Sequence, residues 1–246
     1  MLENHGLYHA VFTRHGGFSP APWHSLNFGA SVGDNPDRVV QNRETALGVI
    51  NIRPDSVYDL YQVHSTKIVK TDTPLSPNEL HIKADAILTD RPNITLMMRF
   101  ADCVPILLFD PVKRAIAIVH AGWIGTVDQI AKKTIEGMSE SFGTHPKDII
   151  AAIGPSIGPD HYSVGKDVVD RIHASFGNKA GQLIIENDEK SYFDLWKANQ
   201  LILASMGVDK IEISEICTYC NLNDWYSHRG EHGRTGRFGV VFGLNR

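Results

Sequence analysis

Residues 95–127, TLMMRFADCVPILLFDPVKRAIAIVHAGWIGTV, decide how this chain reads. Two apolar runs, 104–109 and 115–119, flank the break Asp110-Pro111-Val112-Lys113-Arg114. Short apolar runs around a Pro-containing break predict two buried strands joined by a turn. Reactive side chains stand at one end of each run: Asp102 and Cys103 before the first, His120 after the second. Antiparallel pairing across the turn brings Cys103 and His120 to the same end of the hairpin. A polar group buried there without a partner costs roughly 1–3 kcal/mol. A pattern broken in this way points to a functional site.

Beyond His120 the period changes. Val127, Ile130, Ala131, Ile135, Met138 and Phe142 recur at helical spacing, with Thr126 as the expected N-cap and Gly143 as the C-cap. The first turn of such a helix offers free N–H groups to an anion near the hairpin end. Upstream, strands are expected at 7–13, within 57–70 around Tyr61-Gln62-Val63-His64-Ser65, and at 84–90, with a helix from Pro36 to about residue 47. Downstream, strands are expected at 149–153, 211–213 and 238–242, and helices at 166–176 and 193–206. Strands and helices mix without a strict βαβ rhythm. The expectation is a single α+β (mixed α/β) domain over residues 1–246, with layered mixed sheets flanked by helices.

Composition narrows the function classes. A chain of 246 residues that is 42% hydrophobic can bury a full core. The net charge of −4 provides no basic field for nucleic acid. No stretch approaches the roughly 20 apolar residues of a membrane span, and the N-terminus lacks the apolar core of a secretory leader. Three cysteines, Cys103, Cys217 and Cys220, argue against a disulfide framework and for a reducing, cytoplasmic setting. The expected partners are small molecules, with the chain a monomer or homodimer.

His64, Cys103 and His120 form a donor set of two imidazoles and one thiolate. That set suits zinc and leaves a fourth tetrahedral position for water or substrate. Read singly, Cys103 fits a small core residue equally well, and His120 a hydrogen-bonded core histidine. Cys217-Thr-Tyr-Cys220 could be half a zinc site or a redox pair. Without a second CxxC to complete four sulfurs, a structural or packing role is expected.

The segments TRHGGFS, SLNFG, VGDNPDRVVQNR, QVHS, ADAILTD, ADCVPILLFD, HAGWIGT, IGPSIGPDHYSVG, CTYC and YSHRGEHGRTGRFG occur in this order. Together they resemble the YfiH-like family, also called the laccase-domain or multicopper polyphenol oxidoreductase family, which is linked to purine nucleoside phosphorylase activity. The resemblance covers nearly the whole chain. It implies the family's layered fold and a zinc site of His64, Cys103 and His120. It also implies phosphorolysis of adenosine, inosine, guanosine and methylthioadenosine, with adenosine deamination as a second activity. Arg14, Asn27 and Gln62 fall in motif positions beside that site. The chain departs from the family's pattern at Ile124 and Gly230, where relatives often carry a cation.

For phosphorolysis, Arg14 and Arg229 are the expected phosphate ligands, because a planar guanidinium matches phosphate oxygens. Asp102 is expected to orient a ligand or shuttle a proton, or else only to satisfy backbone donors. The competing reading is a cysteine hydrolase or peptidoglycan-editing enzyme, with Cys103 as nucleophile and His120 as base. A copper phenol oxidase is disfavoured, since no H-x-H segment occurs. Copper remains a possible adventitious occupant, because it outcompetes zinc for nitrogen and sulfur sites.

Overall fold

A computed structural model describes residues 2, 5–76, 79–187 and 190–245. Its centre is the hairpin of Val104–Asp110 and Ala115–Ala121, paired antiparallel with Pro105 opposite His120. A six-stranded mixed sheet grows from it. The strand order is Lys210–Ile213, Ile150–Ile153, Val104–Asp110, Ala115–Ala121, Ala86–Thr89, Ile68–Lys70. The two outermost pairings are parallel and the inner three antiparallel. A second sheet orders Leu7–Val11, Phe238–Leu244, Thr95–Phe100 and Val57–Tyr58. A small third sheet orders Ile184–Asn187, Lys190–Phe193 and Ser163–Val164. The mixed α/β class expected from the sequence is what forms.

The two-residue period of a strand explains the layering. Val104, Ile106 and Leu108 pack in one core with Ile130, Ile135 and Met138 of helix Ile130–Phe142 and with Ile202 of helix Leu195–Ser205. Leu107, Phe109, Ile116 and Ile118 pack in a second core against Leu96, Met98, Val240 and Phe242 of the second sheet. The hairpin strands are therefore buried on both faces, which is why they read as unbroken apolar runs. Each fully buried Ile, Leu or Phe contributes roughly 1.5–3 kcal/mol of transfer free energy. On its far side the second sheet meets helix Pro36–Val49 through Met97, Val241, Ala46 and Leu47. Asn35 caps that helix by accepting from the N–H groups of Asp37 and Arg38, with Pro36 in its first turn.

The structure corrects three local expectations. The helix after His120 starts earlier than Thr126, with Gly122 as N-cap, and its first piece is only Trp123–Val127. Gln129, at φ 65°, breaks it before Ile130–Phe142 begins. Thr126 is interior and its hydroxyl accepts from Asn199 Nδ2 at 3.1 Å. Five residues do not build the anion-binding helix end that was expected. Gly143, at φ 69°, does end the long helix. The region 57–70 holds two short strands in different sheets, and the segment bearing His64 between them is loop. Thr95–Phe100 is a full strand that the sequence reading left unassigned.

Candidate metal centre

Register and parity deliver two of the three expected ligands. His120 has the parity of Ile116 and Ile118, so it emerges toward the second sheet, where Phe100 tilts against it at 5.5 Å. Cys103 has the parity of Leu107 and packs in the same core. His64 arrives on its loop with φ 58°, a left-handed conformation unfavourable for a non-glycine residue. The buried carboxylate of Asp85 holds it there. Asp85 accepts from the backbone N–H groups of Val63, His64 and Ser65, at 3.1, 3.0 and 2.6 Å, and from the Ser65 hydroxyl at 2.8 Å.

The three candidate ligand atoms lie within 4.8 Å of one another. Cys103 Sγ is 3.7 Å from His64 Nε2, and the two imidazole centroids are 4.9 Å apart. Asp85 Oδ1 also sits 2.8 Å from His120 Nδ1. A carboxylate on one ring nitrogen fixes the tautomer and leaves the other nitrogen to ligate. Gly122 makes room for the cluster. A Cβ there would stand 2.9 Å from both Cys103 Sγ and His64 Cδ2.

The charges are mutually dependent. Burial opposes ionisation of Cys103, but the His120 and His64 imidazoles outweigh it and lower the thiol to about 6. Burial likewise opposes charge on His120, but Cys103 and Asp85 raise it to about 9. Both shifts favour a thiolate beside an imidazolium. Two nitrogens, one readily formed thiolate and a carboxylate behind one imidazole match the donors that a borderline-soft divalent ion takes.

A cavity of about 660 Å³ opens over the cluster. Gln62, Asp102 and Arg229 line it, while Arg14 and Asn27 do not. Arg14 is spent inside the fold. It donates to the carbonyls of His24 and Leu222, pairs with Glu231 at 3.0 Å and covers the Tyr226 ring. Asn27 is fully buried, and its Oδ1 accepts from the N–H groups of Gly29 and Arg237, which border the cavity. Gln62 braces Arg99 through that residue's backbone N–H and C=O. Among the described residues, Asp102 hydrogen-bonds neither candidate imidazole. Its carboxylate accepts from the Thr218 hydroxyl at 2.7 Å and the Arg229 N–H at 2.6 Å.

The family model described as multi-copper polyphenol oxidoreductase laccase matches residues 8–245. The chain belongs to this family, the YfiH-like or laccase-domain proteins. It is 36% identical over 242 residues to a Bacillus subtilis protein named purine nucleoside phosphorylase YlmD, covering 94% of this chain and 86% of that one. It is 33% identical over 226 residues to purine nucleoside phosphorylase YfiH of Escherichia coli, covering 92% and 88%. The crystal structure of YlmD from Geobacillus stearothermophilus superposes with a TM-score of 0.93 at 33% identity, covering 98% of this chain and 93% of that one.

This laccase-domain protein has site residues that the sequence reading did not single out: Asp85 behind the cluster, and Arg43, Arg99, Tyr162 and His228 on the cavity wall. Arg43 and Arg99 share the buried carboxylate of Asp59, with Arg99 Nη1 at 2.7 Å. Burial, and then Arg99, lower Arg43 to about 10. Arg229 is anchored on Ser163 and lies over the Tyr162 ring at 5.1 Å. Burial and the nearby Cys103 keep the Tyr162 phenol protonated. Burial and Arg237 push His228 down, which favours its neutral form. The quoted motifs VGDNPDRVVQNR and IGPSIGPDHYSVG contain Arg43 and Tyr162, but nothing in spacing marked either. Cations at Arg43, Arg99, Arg229 and Arg237 line the cavity that Ile124 also borders. No helix among the described residues is long and apolar enough to cross a membrane.

Proposed function

We propose that this protein is a zinc-dependent purine nucleoside phosphorylase, acting on adenosine, inosine, guanosine and methylthioadenosine, with adenosine deamination as a second activity. The observation that carries the reading is the His64–Cys103–His120 cluster facing a cavity of about 660 Å³ with arginines on its walls. The relatives named purine nucleoside phosphorylase support it.

In phosphorolysis a phosphate oxygen bonds to the anomeric carbon of the ribose, the bond from that carbon to the purine nitrogen breaks, and the purine leaves with the electron pair and takes up a proton. Arg229 and Arg237 line the cavity and are assigned to hold phosphate through charge-assisted hydrogen bonds. Tyr162, a phenol that stays protonated, and Trp123 offer the purine a donor and an aromatic face. His64, Cys103 and His120 would hold zinc, which when bound supplies a Lewis acid and a water acidified toward neutral pH. Asp102 is assigned to positioning, since it clamps the Arg229 backbone to Thr218.

A cysteine-hydrolase reading, which includes peptidoglycan editing, is favoured by one observation: the Cys103 sulfur lies within 4.8 Å of a His120 ring nitrogen, which lowers the thiol. The two readings separate cleanly. Purified protein is assayed for metal, then given inosine and adenosine with and without phosphate. Stoichiometric zinc with phosphate-dependent release of free base supports the phosphorylase. Turnover of an amide substrate by metal-free protein, with no base release, replaces it with the hydrolase.

A further inference from the structure

A second group of metal-type ligands lies outside the site described above. The ligand atoms of His161, Cys217 and Cys220 lie within 4.8 Å of one another. Cys220 Sγ is 3.5 Å from His161 Nδ1, and Cys217 Sγ is 4.0 Å from the same atom. Neighbouring ligands of a tetrahedral zinc, with bonds of about 2.0–2.3 Å, stand roughly 3.5–3.8 Å apart. Both cysteines are free thiols.

The backbone is shaped for thiolate ligands. Cys217 Sγ accepts from the N–H groups of Gly158 at 3.1 Å and of Cys220 at 3.4 Å. The second bond closes the Cys-x-x-Cys turn and brings both sulfurs within reach of one ion. Gly158 has to be small, since a Cβ there would meet Cys217 Sγ at 3.1 Å and Asp160 Oδ1 at 2.8 Å. Asp160 Oδ1 lies 2.9 Å from His161 Nδ1, a hydrogen bond that this nitrogen gives up when it takes the ion. Tyr219 stacks on the same ring at 4.4 Å. Cys220 is exposed, so an ion in solution can reach the cluster.

We infer that Cys217, Cys220 and His161 form a second zinc site with a structural role, independent of the reaction assigned above. Two thiolates and an imidazole favour zinc over magnesium or calcium, which take oxygen donors. The ion would staple the loop around Gly158–Tyr162 to the turn at Cys217–Leu222. Those segments reach the cavity wall: Tyr162 lies in the first, and Thr218 of the second hydrogen-bonds Asp102, which holds the Arg229 backbone. The second ion therefore stiffens that wall without touching the reacting atoms.

The test counts zinc per chain by elemental analysis after gel filtration, in the full-length protein purified under reducing conditions. Two zinc are expected in the wild type, one in Cys103→Ala, one in Cys220→Ser and none in the double variant. Cys220 is exposed, so its serine variant should fold where Cys217→Ser does not. Cobalt added to Cys103→Ala should give intense thiolate-to-cobalt charge-transfer absorption that Cys220→Ser abolishes in the same background. One zinc in the wild type that Cys103→Ala loses entirely overturns the inference. So does a peptide map of that reduced preparation showing Cys217 and Cys220 joined as a disulfide.

Discussion

Asp85 Oδ1 lies 2.8 Å from His120 Nδ1, while the same carboxylate gathers three consecutive N–H groups from Val63, His64 and Ser65. One buried acid thus sets the orientation of two candidate ligands that are 56 residues apart in the chain. Asp85→Asn keeps the size and removes the charge. Partners of this kind are worth 10–100-fold in metal affinity. The expected outcome is a zinc affinity lowered by about that factor in a chelator-competition titration. Unchanged affinity would show that Asp85 serves the loop alone.

Gly122 leaves the space in which Cys103 and His64 meet. Its substitution by alanine puts a Cβ 2.9 Å from each of them. Overpacking of this kind costs about 1–3 kcal/mol. Here the atoms that must move include the cluster itself, so Gly122→Ala should lose zinc and base release together while remaining folded by circular dichroism. A variant that retains stoichiometric zinc would contradict the packing argument.

Cys103 in metal-free protein is predicted to alkylate with an apparent pKa near 6, the value to which its neighbours lower it. A lowered thiol pKa means that thiolate is present above that pH, so iodoacetamide should modify Cys103 readily at pH 7. Zinc should protect it. Mass-spectrometric labelling from pH 5 to 8, with and without zinc, measures both effects, and a labelling midpoint near 8–9 would remove the thiolate–imidazolium pair.

Arg229 and Arg14 should behave differently. Arg229 lines the cavity, so Arg229→Ala should raise KM for phosphate at least tenfold, more than it raises KM for nucleoside. Arg14 is committed to Glu231 and two carbonyls, so Arg14→Ala should lower stability by about 2–3 kcal/mol in urea melts. Its KM for phosphate should not change. The reverse pattern would return Arg14 to the phosphate site.

Asp59 sets an acid limit on stability. Burial would raise its carboxyl, but His81, Arg99 and Arg43 prevail and lower it. A carboxylate whose folded pKa is depressed stabilises fully above its unfolded value, about 3.9. That contribution is lost as pH falls through the folded pKa. Wild type should therefore lose stability steeply below about pH 4. Asp59→Asn should be less stable at pH 7, with a gap that narrows in acid. A gap that is constant from pH 7 to pH 3 would exclude Asp59 as the titrating group.

Much of the site was legible because it is local. The turn at Asp110–Arg114 and the period of two set the hairpin register, and the register alone places Cys103 and His120 at one end. A short turn and alternating burial act between near neighbours, so sequence order carries them. His64 was legible as a ligand type, but its loop and left-handed backbone depend on the Asp85 carboxylate 21 residues away. Arg14 and Asn27 sit in motifs beside the site, yet their side chains hold up its frame. A guanidinium reads the same in sequence whether it meets a carbonyl or a ligand.

What the sequence by itself determined is the buried hairpin, the mixed class and the donor types of the candidate centre, because hydrophobic period and side-chain chemistry are properties of the chain. Only the tertiary structure decided which acid stands behind His120, which arginines reach the cavity, and that His161 joins Cys217 and Cys220. Those relations arise where loops and strands distant in sequence pack together, and no local pattern encodes such contacts.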